Sequence, residues 1–192
     1  MKVLDIGCGT GDMALIAAKK TGPSGEVAAV DFSERMLKFA QKRARKTQSA
    51  AVSAQAPIHW VVMKAEDLPL KEVHYDAVVS GFVLRNLYEN IDRILQGAWR
   101  SLKTGGRVSF LDFTEPPNPV LRLLWRFYMN TAAAFYGRIL FGKDYPDFYL
   151  TDSAKRFLKP ADFTERLVSA GFTRVKARFM MFGIIVVYEG FK

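Results

Sequence analysis

Cysteine and histidine are nearly absent: Cys8 is the single cysteine, and His59 and His74 are the only histidines in 192 residues. One cysteine cannot close an internal disulfide, and so few thiol and imidazole groups argue against a zinc centre or any other metal site. Long apolar runs are missing too. No uninterrupted stretch approaches the ~18 residues of a membrane-spanning helix. Acidic residues are in the minority, 19 against 28 basic ones, for a formal net charge of +9. That excess invites a nucleic-acid role, yet the basic residues are scattered. Their densest group, Lys38, Lys42, Arg43, Arg45 and Lys46, falls on one expected helix, as a solvated face or a surface drawn to anionic membrane. No RNA-binding motif is present, so no nucleic-acid partner is expected. Met1 leads almost at once into a strand, so no leader is expected. These features predict a cytoplasmic protein with scope for peripheral contact at the inner face of a membrane.

What is present suits a single globular domain over residues 1–192, with 49% hydrophobic residues to build a core. The chain opens on Val3-Leu4-Asp5-Ile6-Gly7-Cys8-Gly9-Thr10-Gly11-Asp12. A strand-type run ends in an acid and three alternate glycines, then passes into a helical pattern. Strand, tight turn and helix start in that order hold a nucleotide-like ligand at the carboxyl edge of a parallel sheet. The spacing is not the G-x-G-x-x-G of dinucleotide sites, where the helix dipole faces a pyrophosphate. Glycines lacking Cβ instead let backbone approach a ligand closely. Cys8, small and inside the turn, reads as packing.

The second strand, Glu26 to Asp31, also ends in an acid. Asp31 is placed to accept both hydroxyls of a ribose, Ser33 caps the helix that follows, and Phe32 and Met36 are candidate walls for an adenine ring. Ile58 to Met63 reads as a third strand leading into Lys64 and Ala65, and Tyr75 to Gly81 as a buried central strand. Phe82-Val83-Leu84-Arg85-Asn86-Leu87 then leaves the sheet edge, a helix runs on from Asn90, and Arg107 to Phe113 forms a fifth strand. This alternation predicts an α/β, doubly wound, mostly parallel sheet. Residues Val120 to Phe141 are rich in large apolar side chains, interrupted by Arg122, Arg126 and Arg138. They read as a core or homodimer helix, or as a greasy substrate cover or membrane-contacting surface. Pro160 starts a last helix, and Phe172 to Met180 with Gly183 to Tyr188 predict a terminal antiparallel hairpin.

The glycine turn with Asp31-Phe32-Ser33-Glu34-Arg35-Met36-Leu37 is similar to class I S-adenosylmethionine (SAM) methyltransferases. Ser80-Gly81-Phe82-Val83-Leu84-Arg85-Asn86, Leu102-Lys103-Thr104-Gly105-Gly106-Arg107, Tyr149-Leu150-Thr151-Asp152-Ser153 and the closing Gly183-to-Lys192 run narrow the likeness. Together they resemble the ubiquinone/menaquinone-biosynthesis C-methyltransferase family over the whole chain. The resemblance implies a seven-stranded Rossmann-like sheet, SAM as cofactor and a polyprenyl quinol as substrate. It implies SAM contacts from the Asp5-Gly7-Gly9-Thr10-Gly11 turn, Asp31, Lys64, Ala65 and Ser80. The family commonly has Asp or Asn where Lys64 stands, so its contact is expected through backbone. The family also carries several helices before the glycine turn, a cover expected to be missing here.

In such a reaction the quinol ring carbon becomes nucleophilic as the neighbouring hydroxyl loses its proton, against a phenol pKa of about 10. Arg85, always protonated, is expected to stabilise phenolate or orient a water, and Asn86 to bond a quinol oxygen. Asp112, at the end of the fifth strand, is the alternative base. Two other readings fit the glycine turn: a SAM methyltransferase for another lipid-like small molecule, and a non-catalytic SAM-fold subunit that binds a partner.

Overall fold

The computed structural model describes residues 1–50, 55–68, 75–128, 131 and 159–192. Tyr149 to Ser153, His74 and the part of the aromatic segment beyond Thr131 lie outside the described residues. Seven strands form one sheet: β1 (Lys2–Ile6), β2 (Glu26–Asp31), β3 (Ile58–Val62), β4 (Tyr75–Gly81), β5 (Leu102–Phe113), β6 (Thr173–Met180) and β7 (Ile185–Phe191). Their spatial order is β3-β2-β1-β4-β5-β7-β6. Neighbours from β3 to β5 pair parallel, while β7 runs antiparallel to both β5 and β6. The doubly wound sheet and terminal hairpin are therefore present as expected.

Among the described residues two helices pack on each face of the sheet. Helices α1 (Asp12–Thr21) and α2 (Glu34–Ala50) pack over β1 to β3, where Val3, Val27 and Ala29 meet Ala14, Ala18 and Leu37. Helices α3 (Ile91–Ser101) and α5 (Pro160–Ser169) cover the opposite face. There Leu4, Ile6, Val78, Val108, Phe110 and Tyr188 pack against Ile94, Leu95, Phe163 and Leu167. Strand alternation decides this division, since successive side chains point to opposite faces. A further helix, α4 (Pro119–Tyr128), follows β5 and buries only Trp125. A groove of about 870 Å³ beside α1, lined by Val3, Ile16, Ala77, Val79, Ser109 and Phe191, lies toward the strands' amino ends, away from the glycine turn.

Candidate active site

The glycine turn leaves β1 with three left-handed residues, Gly7 at φ 67°, Gly9 at 50° and Gly11 at 84°. The first and third are required by packing. A Cβ on Gly7 would fall 2.5 Å from Val83 Cγ1, and one on Gly11 would fall 2.9 Å from the Trp60 ring and 3.0 Å from Ala40 Cβ. A Cβ on Gly9 would meet nothing within 4 Å. The turn is thus sealed below and open at its middle glycine, a cradle for a ligand that approaches the backbone. Cys8 packs as expected: its amide donates to the Val30 carbonyl (2.9 Å), and burial pushes its thiol well above the usual range, away from nucleophilic use.

Asp31 clamps this cradle to β2. Its Oδ2 accepts the Gly9 N–H and its Oδ1 the Ser33 N–H, both at 2.8 Å. A carboxylate has about four lone-pair sites, so two bonds leave acceptor capacity for ribose hydroxyls at the strand tip. Phe32 and Met36 stand exposed beside it, 72% and 46% accessible. Val62, the register partner of Asp31 on β3, is 58% exposed and belongs with them. Sequence reading missed Val62, because an apolar residue ending a strand carries no mark of being uncovered. Lys64 is exposed and Ala65 is buried at the start of the short 3₁₀ turn Ala65–Asp67. That leaves backbone as the ligand-facing part there.

Three residues expected to contact the ligand have side chains that the fold buries or occupies. The Ser80 side chain is fully buried and its hydroxyl donates to the Ile6 carbonyl at 2.7 Å, joining β4 to β1. The hydroxyl is therefore taken up within the sheet. Thr10 Oγ1 donates to Asp12 Oδ2 at 2.7 Å, and the Thr10 carbonyl accepts from Arg43, whose guanidinium also pairs with Asp12. Its hydroxyl serves this surface network. Asp5 is fully buried under the turn, and neither carboxylate oxygen makes a well-formed hydrogen bond, the Ala14 N–H giving only a weak one. Burial raises its pKa to about 7, and the charges of Asp31 and Asp12 push the same way while the Ala14 amide pulls against them. An acid so weakly bonded below the glycines fits a site that receives a cationic group above it, acting through the field and without contact.

Arg85 and Asp112 meet at the same edge. Asp112 Oδ1 accepts from Arg85 Nη1 at 2.6 Å and from the Phe113 N–H at 2.8 Å, while Oδ2 accepts the Arg85 N–H at 3.0 Å. Arg85 Nη1 also donates to the Phe82 carbonyl at 2.8 Å, and the guanidinium lies 5.2 Å from the Phe113 ring centre. Asp112 is fully buried beneath the Arg85 loop, so it is not placed to take a substrate proton as the alternative base. It holds Arg85. Asn86 is exposed on the same 3₁₀ turn, Leu84–Asn86. This loop leaves β4 through Phe82, a non-glycine residue at φ 61° whose ring lies 4.6 Å from that of Phe113. Strained backbone of this kind persists where surroundings fix it, and it clusters at functional sites. The Gly7–Val83 contact places the glycine cradle and the Leu-Arg-Asn turn side by side.

The fold is shared with known proteins. A SAM-dependent methyltransferase from Aquifex aeolicus superposes over 99% of this chain and 81% of that chain, with a TM-score of 0.67 at 18% identity. Sequence takes the assignment further: the ubiE/COQ5 methyltransferase family model matches residues 1–192, and the chain belongs to that family. It is 32% identical over 191 residues to the ubiquinone/menaquinone biosynthesis C-methyltransferase UbiE of Rhizobium meliloti, covering 100% of this chain and 72% of that protein. It is 33% identical over 190 residues to the demethylmenaquinone methyltransferase of Lactobacillus johnsonii, covering 98% of this chain and 75% of that protein. The protein is therefore a methyltransferase with SAM as its methyl donor. The open Gly9, the Asp31 tip and the exposed Phe32, Met36 and Val62 are the residues that fit that cofactor.

Proposed function

We propose that this protein C-methylates the ring of a polyprenylated quinol, as the names of its relatives suggest, and that Arg85 and Asn86 are its catalytic residues. The observation that carries the reading is the Gly7–Val83 contact, which brings the Leu-Arg-Asn turn against the cofactor cradle. When bound, the cofactor supplies an electrophilic methyl group on a sulfonium. The protein's task is position, since holding two reactants in attack geometry is worth roughly 7–11 kcal/mol. Asp31 and the Gly9 amide region orient the nucleoside end, and Phe32, Met36 and Val62 flank its base.

On the substrate side, Arg85 orients a water that takes the proton from the hydroxyl next to the reacting carbon, and it stabilises the oxyanion so formed. Once methylated, that carbon loses its own proton to solvent and the ring regains its aromaticity. Asp112 offsets the charge of Arg85, so the guanidinium acts through aimed donors more than through net charge. Asn86 bonds a quinol oxygen and fixes the ring's orientation. The test is Arg85→Ala with labelled SAM and a demethylated quinol. SAM affinity by calorimetry should stay within a few-fold while turnover falls by about 100-fold or more. Near-wild-type turnover would remove Arg85 from the mechanism, and no methylated quinol from the wild-type chain would sink the substrate assignment.

A further inference from the structure

Helix α2 grips the glycine turn at two points. At its head, Asp31 accepts the Gly9 N–H and the Ser33 N–H at 2.8 Å each, and Ser33 Oγ accepts the Met36 N–H at 3.4 Å. Turn, strand tip and helix start are one bonded unit there. Further along the helix, Arg43 comes back to the same turn. Its Nη1 donates to the Thr10 carbonyl at 2.9 Å and its Nη2 to Asp12 Oδ1 at 2.7 Å, while Thr10 Oγ1 donates to the other Asp12 oxygen at 2.7 Å. Between the two points Ala40 underlies Gly11, where a Cβ would fall 3.0 Å from it. Gly9 and Thr10, the crest of the turn, are therefore held through an amide at one residue and a carbonyl at the next.

We infer that Arg43 is a positioning residue for the cofactor, holding the Gly9–Thr10 crest in the form that SAM meets. Packing fixes Gly7 and Gly11, but a Cβ on Gly9 would meet nothing within 4 Å, so the crest depends on hydrogen bonds for its shape. Glycine loses more backbone freedom on ordering than any other residue. Ordering one such residue at the moment of binding costs on the order of tenfold in affinity, and a turn ordered beforehand avoids that cost. A guanidinium suits the task because its planar fork aims two donors at once, here one at a carbonyl and one at a carboxylate, where an ammonium is a point charge. The role is not one of charge. SAM carries a sulfonium and an ammonium against one carboxylate, so a cation beside its cradle opposes binding through the field. Nor is it one of fold stability, since the Arg43 and Asp12 side chains are 38% and 62% exposed and ion pairs so exposed contribute little. The inference rests on SAM as cofactor and is independent of the quinol.

The experiment is titration calorimetry of the full chain with SAM, comparing wild type, Arg43→Ala and Arg43→Lys, each with a thermal melt without cofactor. Arg43→Ala should weaken SAM binding about tenfold while its melting temperature falls by no more than about 4 °C. Arg43→Lys restores the charge without the fork and should stay within about threefold of Arg43→Ala. In turnover with labelled SAM and a demethylated quinol, the loss in Arg43→Ala should lie in the KM for SAM, with kcat at saturating SAM within about twofold of wild type. Unchanged or tighter SAM binding in Arg43→Ala would overturn the proposal. So would full recovery of affinity in Arg43→Lys, a melting temperature lowered well beyond that range, or a kcat that falls while the KM for SAM holds. The calorimetry needs SAM alone. Weakened binding in this pattern from a chain that methylates no quinol would leave the inference standing and the substrate reading fallen.

Discussion

Asp112 has three donors on two oxygens and no exposure, a state that decides what the residue can do. With no exposed surface it cannot meet a substrate hydroxyl, and two of its three bonds are to Arg85 itself. Asp112→Asn should therefore lower turnover by slackening Arg85 while the pH–rate profile keeps its acid limb. Loss of that limb would restore Asp112 as the base. The same variant should destabilise the fold by about 3–5 kcal/mol in urea denaturation, because Arg85 is left buried without its counter-charge. Ser80 teaches a similar lesson in the opposite direction. Its hydroxyl lies where a ligand contact was expected, yet the sheet has taken it.

At the level of elements, the turn between β1 and α1 separates two kinds of glycine. Gly7→Ala forces a methyl into Val83 and a side chain into left-handed backbone, and should cost about 2–4 kcal/mol of stability in a thermal or urea melt. Gly9→Ala meets no neighbour, so only the backbone term of about 1–2 kcal/mol applies. Its loss should show in SAM affinity measured by calorimetry, where the new methyl stands in the cradle. Equal effects of the two substitutions on stability, or unchanged SAM affinity in Gly9→Ala, would contradict this division. Helix α4 is the other element whose direction matters. Its sequence pattern gave the apolar arc, and packing of Arg122 and Arg126 onto residues 115 to 117 turned that arc outward.

For the whole molecule, the buried acid below the cradle sets a pH dependence. Asp5 titrates near pH 7 in the folded chain and in the ordinary carboxylate range when unfolded. Across that window the folded chain holds a proton that the unfolded chain has lost, so stability falls as pH rises, by up to about 1.4 kcal/mol per pH unit. The slope levels off above pH 7. Asp5→Asn cannot ionise and should lack this contribution, so the variant should gain on wild type from pH 5 to pH 8 in melts without cofactor. A constant difference between the two across that range would show that Asp5 stays charged or finds a partner.

Much of this was legible in the chain itself. Period-two apolar runs and the helical spacing from Ile91 to Leu102 are local patterns, and they gave the strands, the helices and the parallel sheet with its terminal hairpin. The glycine spacing and the Leu-Arg-Asn run, also local, gave the cofactor and the family. What sequence could not supply was the direction each functional side chain faces, because that depends on partners far along the chain. Ser80 meets Ile6 across 74 positions, and Arg85 meets Asp112 across 27. Asp5 and Asp31 look alike as strand-ending acids, yet folding buries one without a well-formed hydrogen bond and sets the other at the rim of the cradle. Sequence by itself determined the architecture and the kind of chemistry. Tertiary packing decided which acids hold the frame, which meet the ligand and which way α4 presents its apolar face, since burial and hydrogen-bond partners exist only once distant elements meet.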